Sequence, residues 1–136
     1  MDFLKSIAIA ASGLRAQAGR MRIISENIAN ADTAASTAGA EPYRRKIPTF
    51  KNEMDRALDA QLVVLGRANT DPSEFRIKHE PGHPAADANG NVKYPNVNSL
   101  VEMTDLREAQ RSYEANINVI GASRRMIQRT IEILKS

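Results

Sequence analysis

The sequence predicts a mainly α protein: two long terminal helices forming a coiled-coil-like pair, with a small β-rich insert between them. Three observations lead there. Apolar residues recur at seven-residue steps near both ends of the 136-residue chain. The middle is broken by prolines and turn dipeptides, with short β-branched runs between them. Aromatic residues make up only 4% of the chain and tryptophan is absent, so the large side chains that normally fill a bulky core are missing.

The first helix reads from Phe3 to Asn30, a stretch without proline whose only glycines are Gly13 and Gly19. Ile7, Leu14, Met21 and Ile28 repeat every seven residues, and Leu4, Ala11 and Ala18 precede members of that set by three, giving a narrow a/d-like stripe. Arg15, Arg20, Arg22 and Glu26 occupy the polar side. At 1.5 Å per residue such a helix is roughly 40 Å long. The C-terminal helix repeats the design over residues 98–136. Leu106, Tyr113, Ile120, Ile127 and Leu134 fall at strict seven-residue intervals, and Met103, Ile117 and Ile131 widen the stripe. Asn98 or Ser99 serves as its cap, with Glu102 at the capping-box position relative to Ser99. Stripes this narrow are seams for partner helices, in the same chain and in an assembly.

Residues 31–97 form the middle domain between these axial helices. "ADTAASTAGAE" (31–41) is small, polar and aperiodic, hence a loop. "PYRRKIPTF" (42–50) is extended, because Pro42 and Pro48 exclude a helix. "NEMDRALDA" (52–60) predicts a short helix. "QLVVLGRA" and "EFRIKHE" predict strands, and the Asn89-Gly90 turn leads into another.

Composition removes several classes of function. The absence of cysteine excludes disulfides, thiolate zinc sites and cysteine nucleophiles. The net charge of +3 is thinly spread: four Lys/Arg against two Asp/Glu in residues 1–30, nine against nine in 31–100, six against five in 101–136. A nucleic-acid partner requires a concentrated basic face and is not expected. No stretch approaches the ~20 apolar residues of a membrane span. Asp2, Lys5 and Ser6 interrupt the N-terminal apolar run, which reads as helix rather than cleaved signal.

One motif calls for a decision. "HEPGH" (79–83) holds both histidines of the chain and fits H-E-x-x-H, the zinc-hydrolase pattern. That pattern works because a helix puts both imidazoles on one face, and Pro81 and Gly82 oppose a helix here. A turn is expected, and a zinc hydrolase through His79 and His83 remains only the alternative. "AADANG" (85–90) fails as a calcium loop, with Ala85 at the first ligand position and Asn96 at the last. No catalytic residues, metal, cofactor or small-molecule substrate are expected.

"SGLRAQAGRMRIISENIANADT" (12–33) resembles the N-terminal signature of the bacterial flagellar rod and hook family, with its Asn-x-x-Asn-x-x-Thr turn at Asn27, Asn30 and Thr33. "PYRRK" (42–46, with Tyr43, Arg44 and Arg45), "HPAADANGNVKYPNVN" (83–98) and "RSYEANINVI" (111–120, with Tyr113, Glu114, Ala115 and Asn116) are similar to the proximal rod branch of that family. Residues 51–72 match only loosely. The resemblance implies a structural axial protein, self-assembling with other flagellar rod subunits into the drive shaft from basal ring to hook. It implies unfolded passage through the flagellar type III export apparatus, without a cleaved signal, and a place in the periplasmic part of the basal body. A neighbouring proximal rod subunit is the alternative within the family. The asparagines of the turn are expected to use their tolerance of left-handed backbone and their local hydrogen bonds.

Overall fold

A computed structural model describes residues 2–136. Helix α1 runs Phe3–Ala29 and helix α2 Ser99–Lys135. Between them lie six short strands: β1 Lys46–Ile47, β2 Phe50–Asp55, β3 Ala60–Leu65, β4 Asn69–Thr70, β5 Arg76–His79 and β6 Asn91–Tyr94. They pair antiparallel in twos, β1 with β4, β2 with β3 and β5 with β6. Helix takes 47% of the chain and strand 18%, so the helical share leads without dominating.

Side-chain oxygens cap both helices at their starts. Asp2 Oδ1 accepts from the amides of Leu4 (3.0 Å) and Lys5 (3.2 Å). Asn98 Oδ1 accepts from Leu100 (3.1 Å) and Val101 (3.4 Å), so Asn98 is the cap of α2. Glu102 does not close a capping box on Ser99; it turns inward and is fully buried.

The chain divides into two compact units. The first contains residues 1–21, 49–67 and 107–136. In it the α1 and α2 segments run side by side in opposite directions: Gly13 faces Asn116, and Arg20 lies 3.9 Å from Glu108. Their most protected positions are small, with Ser12, Ala16, Ala109 and Ser123 all buried. A Cβ on Gly13 would come within 2.9 Å of the Asn116 side chain, and one on Gly19 within 2.6 Å of Leu65, so these glycines admit close neighbours. The β2–β3 hairpin docks on α1 through Ser12, whose Oγ accepts from the Val63 amide at 3.2 Å.

That hairpin overturns the expected helix over residues 52–60. Asn52–Asp55 form the second part of β2, and residues 56–59 make the turn. Asp55 Oδ1 accepts from Ala57 and Leu58, and Asp59 adopts the left-handed conformation that brings the chain back (φ 50°). Six register pairs with β3, from Phe50↔Leu65 to Asp55↔Ala60, outweigh a local helical preference worth tenths of a kcal/mol per residue.

The second unit contains residues 22–48 and 68–106. Its apolar centre is Ile23, Ile24, Ala31, Val92, Tyr94 and Val97, all buried. The β5–β6 ladder supports it, with Val92 opposite Lys78 and Tyr94 opposite Arg76. The loop joining these strands closes on Gly90, at φ +79°, where a Cβ would meet His79 and Pro81 at 3.0 Å. Gly90→Ala therefore forces an L-residue into a left-handed, crowded site and should destabilise the protein by about 1–2 kcal/mol. Thermal melting followed by circular dichroism should show the lowered midpoint.

Candidate functional site

The residues singled out at Asn27, Tyr43 and Arg45 meet in the second unit around one buried carboxylate. The last two turns of α1 supply Asn27, the extended segment 43–46 runs past it, and the first turn of α2 brings in Glu102. Asn27 and Glu102 are both 0% exposed. Asn27 uses its whole amide. Oδ1 accepts from the Tyr43 hydroxyl (2.8 Å) and the Lys46 amide (3.0 Å), and Nδ2 donates to the Lys46 carbonyl (2.8 Å) and Glu102 Oε2 (3.2 Å). Glu102 Oε1 takes the Arg45 Nε hydrogen.

Arg45 is the hub of the charges. Besides Glu102, its guanidinium reaches Asp71 at 3.3 Å and Asp105 at 3.8 Å. Its backbone is held too: the amide donates to Asn96 Oδ1 (2.8 Å) and the carbonyl accepts from Asp71 N (2.9 Å). Arg44 turns the other way, donating to the carbonyls of Asp71 (2.8 Å) and Ser73 (3.0 Å) and lying 4.2 Å over the Phe75 ring. Asn96 Nδ2 closes the circuit on Asp71 O, Ser73 O and Ser73 Oγ. Among the described residues no buried side-chain nitrogen or oxygen lacks a partner.

The electrostatics follow from this packing. Burial, then the charges of Glu26 and Glu102, push the Tyr43 phenol up to about 12. Burial pulls against the Arg45 charge, but the hydrogen bond and charge of Glu102, with those of Asp71, outweigh it and hold the guanidinium more firmly protonated. Hydrogen bonds from Ser73, then Arg45, keep the Asp71 carboxyl below its usual range despite burial.

Asn30 and Thr33 do something different from Asn27. Asn30 Nδ2 donates back to the Glu26 carbonyl (2.8 Å), while its own carbonyl and Oδ1 accept from Thr33 N (3.1 Å) and Oγ1 (3.3 Å). This caps the end of α1 locally. Left-handed backbone plays no part: Asp59 is the single non-glycine residue with positive φ among the described residues. Tyr113, Glu114, Ala115 and Asn116 belong to the other unit, on α2. Tyr113 borders a shallow groove with Ala11, Leu14, Arg15 and Ala18. Asn116 sits against Gly13, and Glu114 and Ala115 are exposed.

This arrangement is structural: its buried side-chain polar groups all find hydrogen-bond partners among their neighbours. Comparison with known proteins agrees with it. Residues 7–34 match a family model described as "Flagella basal body rod protein", and residues 88–133 one described as "Flagellar basal body rod FlgEFG protein C-terminal". The chain is similar to the flagellar basal-body rod protein FlgC of Agrobacterium fabrum, with 50% identity over 137 residues that cover 100% of this chain and 99% of the relative. It is similar to the FlgC proteins of Bacillus subtilis (36%, covering 99% and 100%) and Salmonella typhimurium (35%, covering 98% of each). The chain belongs to the FlgC family of flagellar basal-body rod proteins. It is a structural rod subunit, not an enzyme.

The histidines of this rod protein fit that reading. His79 is on a strand and its Nδ1 meets Asn91 Oδ1 at 3.2 Å. His83 lies in the turn and accepts the Ala85 amide at 3.0 Å. The helix on which H-E-x-x-H depends is replaced by strand and turn.

Sequence reasoning missed Asp71, Asp105 and Arg76, and gave Glu102 a capping role in place of the buried one. Arg76 ties the end of α1 to the start of the α2 approach, through Ala31 O (2.6 Å), Asp32 (3.2 Å) and Pro95 O (3.0 Å). Asn96 lay inside the quoted "YPNVN", without its role.

Two outcomes test the cluster. Glu102→Ala leaves Arg45 short of one anion and Asn27 short of one acceptor in a buried setting. Removing one partner of such a pair should cost about 3 kcal/mol, read as a lowered denaturant midpoint. The Tyr43 shift sets an alkaline limit. Its folded value lies above the unfolded value near 10, so its contribution is complete below pH ~10 and is lost as pH rises to about 12. Tyr43→Phe should flatten the fall in stability across that window, measured by urea titration at successive pH values.

Proposed function

We propose that this rod subunit forms part of the proximal rod, the section of the drive shaft that carries torque from the basal ring towards the hook. Residues 1–30 and 98–136 are its axial helices, pairing as a coiled-coil-like seam and packing against other rod subunits and further copies of the chain. Residues 31–97 are the middle domain. The chain passes unfolded through the flagellar type III apparatus and assembles in the periplasmic part of the basal body. Its lack of cysteine suits an oxidising compartment. No helix among the described residues is long and apolar enough to cross a membrane.

The observation that carries this reading is the apolar surface left on α2. Ile117 and Ile131 are each 47% exposed and Leu134 is 81% exposed. Val119, Met126 and Ile133 form another exposed row at seven-residue spacing. On α1, Leu4 is exposed as well, while Ile7, Ala11, Leu14, Met21 and Ile28 are half-buried and Ala18 is open. Leu106, Tyr113, Ile120 and Ile127 are half-buried along α2. Stripes that one chain covers only partly are what an assembly of helices would complete.

The test separates folding from assembly. Ile131→Asp alters an exposed position, so the melting of the purified subunit should stay within about 0.5 kcal/mol of the parent. In cells the variant should be exported yet leave the rod unextended, without hook or filament. Ile120→Asp, at a half-buried position, should abolish assembly and destabilise the subunit as well. Normal swimming in the Ile131→Asp strain would remove this residue from the assembly surface.

A further inference from the structure

The β2 strand has one side without a partner. All of its residues from Phe50 to Met54 are exposed, and Phe50 (43%) and Met54 (50%) keep large apolar side chains in solvent. Two hydrogen bonds fix which backbone groups face outward. Gly66 N donates to Thr49 O at 2.7 Å, continuing the β2–β3 ladder. Val63 N is spent on Ser12 Oγ, pointing away from β2. In an antiparallel pair, bonded and non-bonded positions alternate. Val63 is the register partner of Asn52, so Asn52, and with it Phe50 and Met54, directs its N–H and C=O away from β3. A six-residue edge with three outward donors and three outward acceptors is a template for strand addition.

The sequence of this edge says what fits it. We infer that β2 pairs antiparallel with β2 of a second copy of the chain, about a two-fold axis through Asn52. In that register Asn52 faces its own copy once, while the Phe50–Met54 and Lys51–Glu53 pairs each occur twice. The outward-pointing residues 50, 52 and 54 meet one another, so three pairs each exchange two backbone hydrogen bonds. Lys51 and Glu53 meet at non-bonded positions, where opposed side chains are closest. Within the subunit neither has an ion-pair partner among the described residues; across β3 they face Val64 and Leu62. The aromatic–thioether pair of Phe50 with Met54 is favourable in its own right. Pro48, which has no N–H, ends the ladder on each side. Shifting the register by two residues in either direction separates Phe50 from Met54 and sets Lys51 against Lys51 or Glu53 against Glu53.

Such a contact is isologous and closes on itself, whereas an open rod grows through heterologous contacts. The dimer is therefore a form of the free subunit, covering an edge that would otherwise recruit strands at random. This inference goes beyond the assembly reading and does not rest on it. One strand pair is a small interface, of the weak class.

Sedimentation velocity on the purified full chain tests it. The parent should show concentration-dependent dimerisation. Lys51→Glu, and separately Glu53→Lys, sets like charges opposite each other twice and should weaken association about tenfold or more. The double exchange Lys51→Glu with Glu53→Lys should restore it. Asn52→Cys adds the chain's single cysteine at a position where Cα atoms of bonded partners lie about 5.5 Å apart, suited to a disulfide. Oxidation should give a covalent dimer, suppressed by Lys51→Glu and recovered in the double exchange. A chain that stays monomeric at every concentration, or a dimer indifferent to the charge exchange, would overturn the proposal.

Discussion

A fully buried carboxylate, Glu102, sets the terms for the second unit. Moving a charge out of water is costly unless it is paired and hydrogen-bonded, so a buried Glu102 dictates its surroundings. One oxygen needs a cation, and Arg45 supplies it; the other needs a donor, and Asn27 supplies that. Arg45 must then be held in place, which the Asn96 side chain and the Asp71 backbone do. Three segments remote in sequence are fixed by this one requirement, in a chain with too few aromatics to fix them by bulk.

The first unit is built on the opposite plan. Its closest approaches run over Gly13, Ser12, Ala16, Ala109 and Ser123, residues whose smallness lets backbones near one another. Large apolar side chains stand to either side of that line and remain partly open to water. Charge follows the same division. The first unit holds twelve Lys/Arg against seven Asp/Glu, and the second seven against nine. The basic balance of the chain thus belongs to one unit, which counting by consecutive segments had concealed because each unit is assembled from separated stretches.

Periodicity made the helices legible, and local chemistry made the turns so. Phe3–Ala29 and Ser99–Lys135 fall within a residue or two of the sequence bounds because long seven-residue repeats leave little ambiguity. Pro81 and Gly82 settled HEPGH for the same kind of reason: a helix is forbidden by the residues themselves. "NEMDRALDA" had no such local veto, and its strand state comes from pairing with residues 60–65, which only the fold brings opposite. Glu102 shows the same limit. Three residues after Ser99 it fits a capping box, and nothing local reveals that a guanidinium 57 positions away in sequence claims it first. The apolar stripes, likewise, tracked large side chains, whereas the most protected positions where the helices meet in the first unit are Ser12, Ala16, Ala109 and Ser123, small residues that a pattern of large side chains passes over.

The polar residues at the end of α1 gain a physical meaning from this division between local and distant partners. Asn30 and Thr33 bond within one turn of themselves, a task several small polar residues can share. Asn27 cannot be exchanged so freely. It accepts twice and donates twice, using an amide's acceptor and both of its hydrogens. An aspartate has the shape but would place a second anion against Glu102 and lose both donations. A leucine has the volume but would strand the Lys46 backbone, the Tyr43 hydroxyl and one oxygen of Glu102. A glutamine carries the right groups one methylene too far along, into a site with no exposed surface to take up the slack. An amide on a two-bond stem is the side chain that meets all four partners, so the first asparagine of the turn is set by the buried network and the second by the helix end.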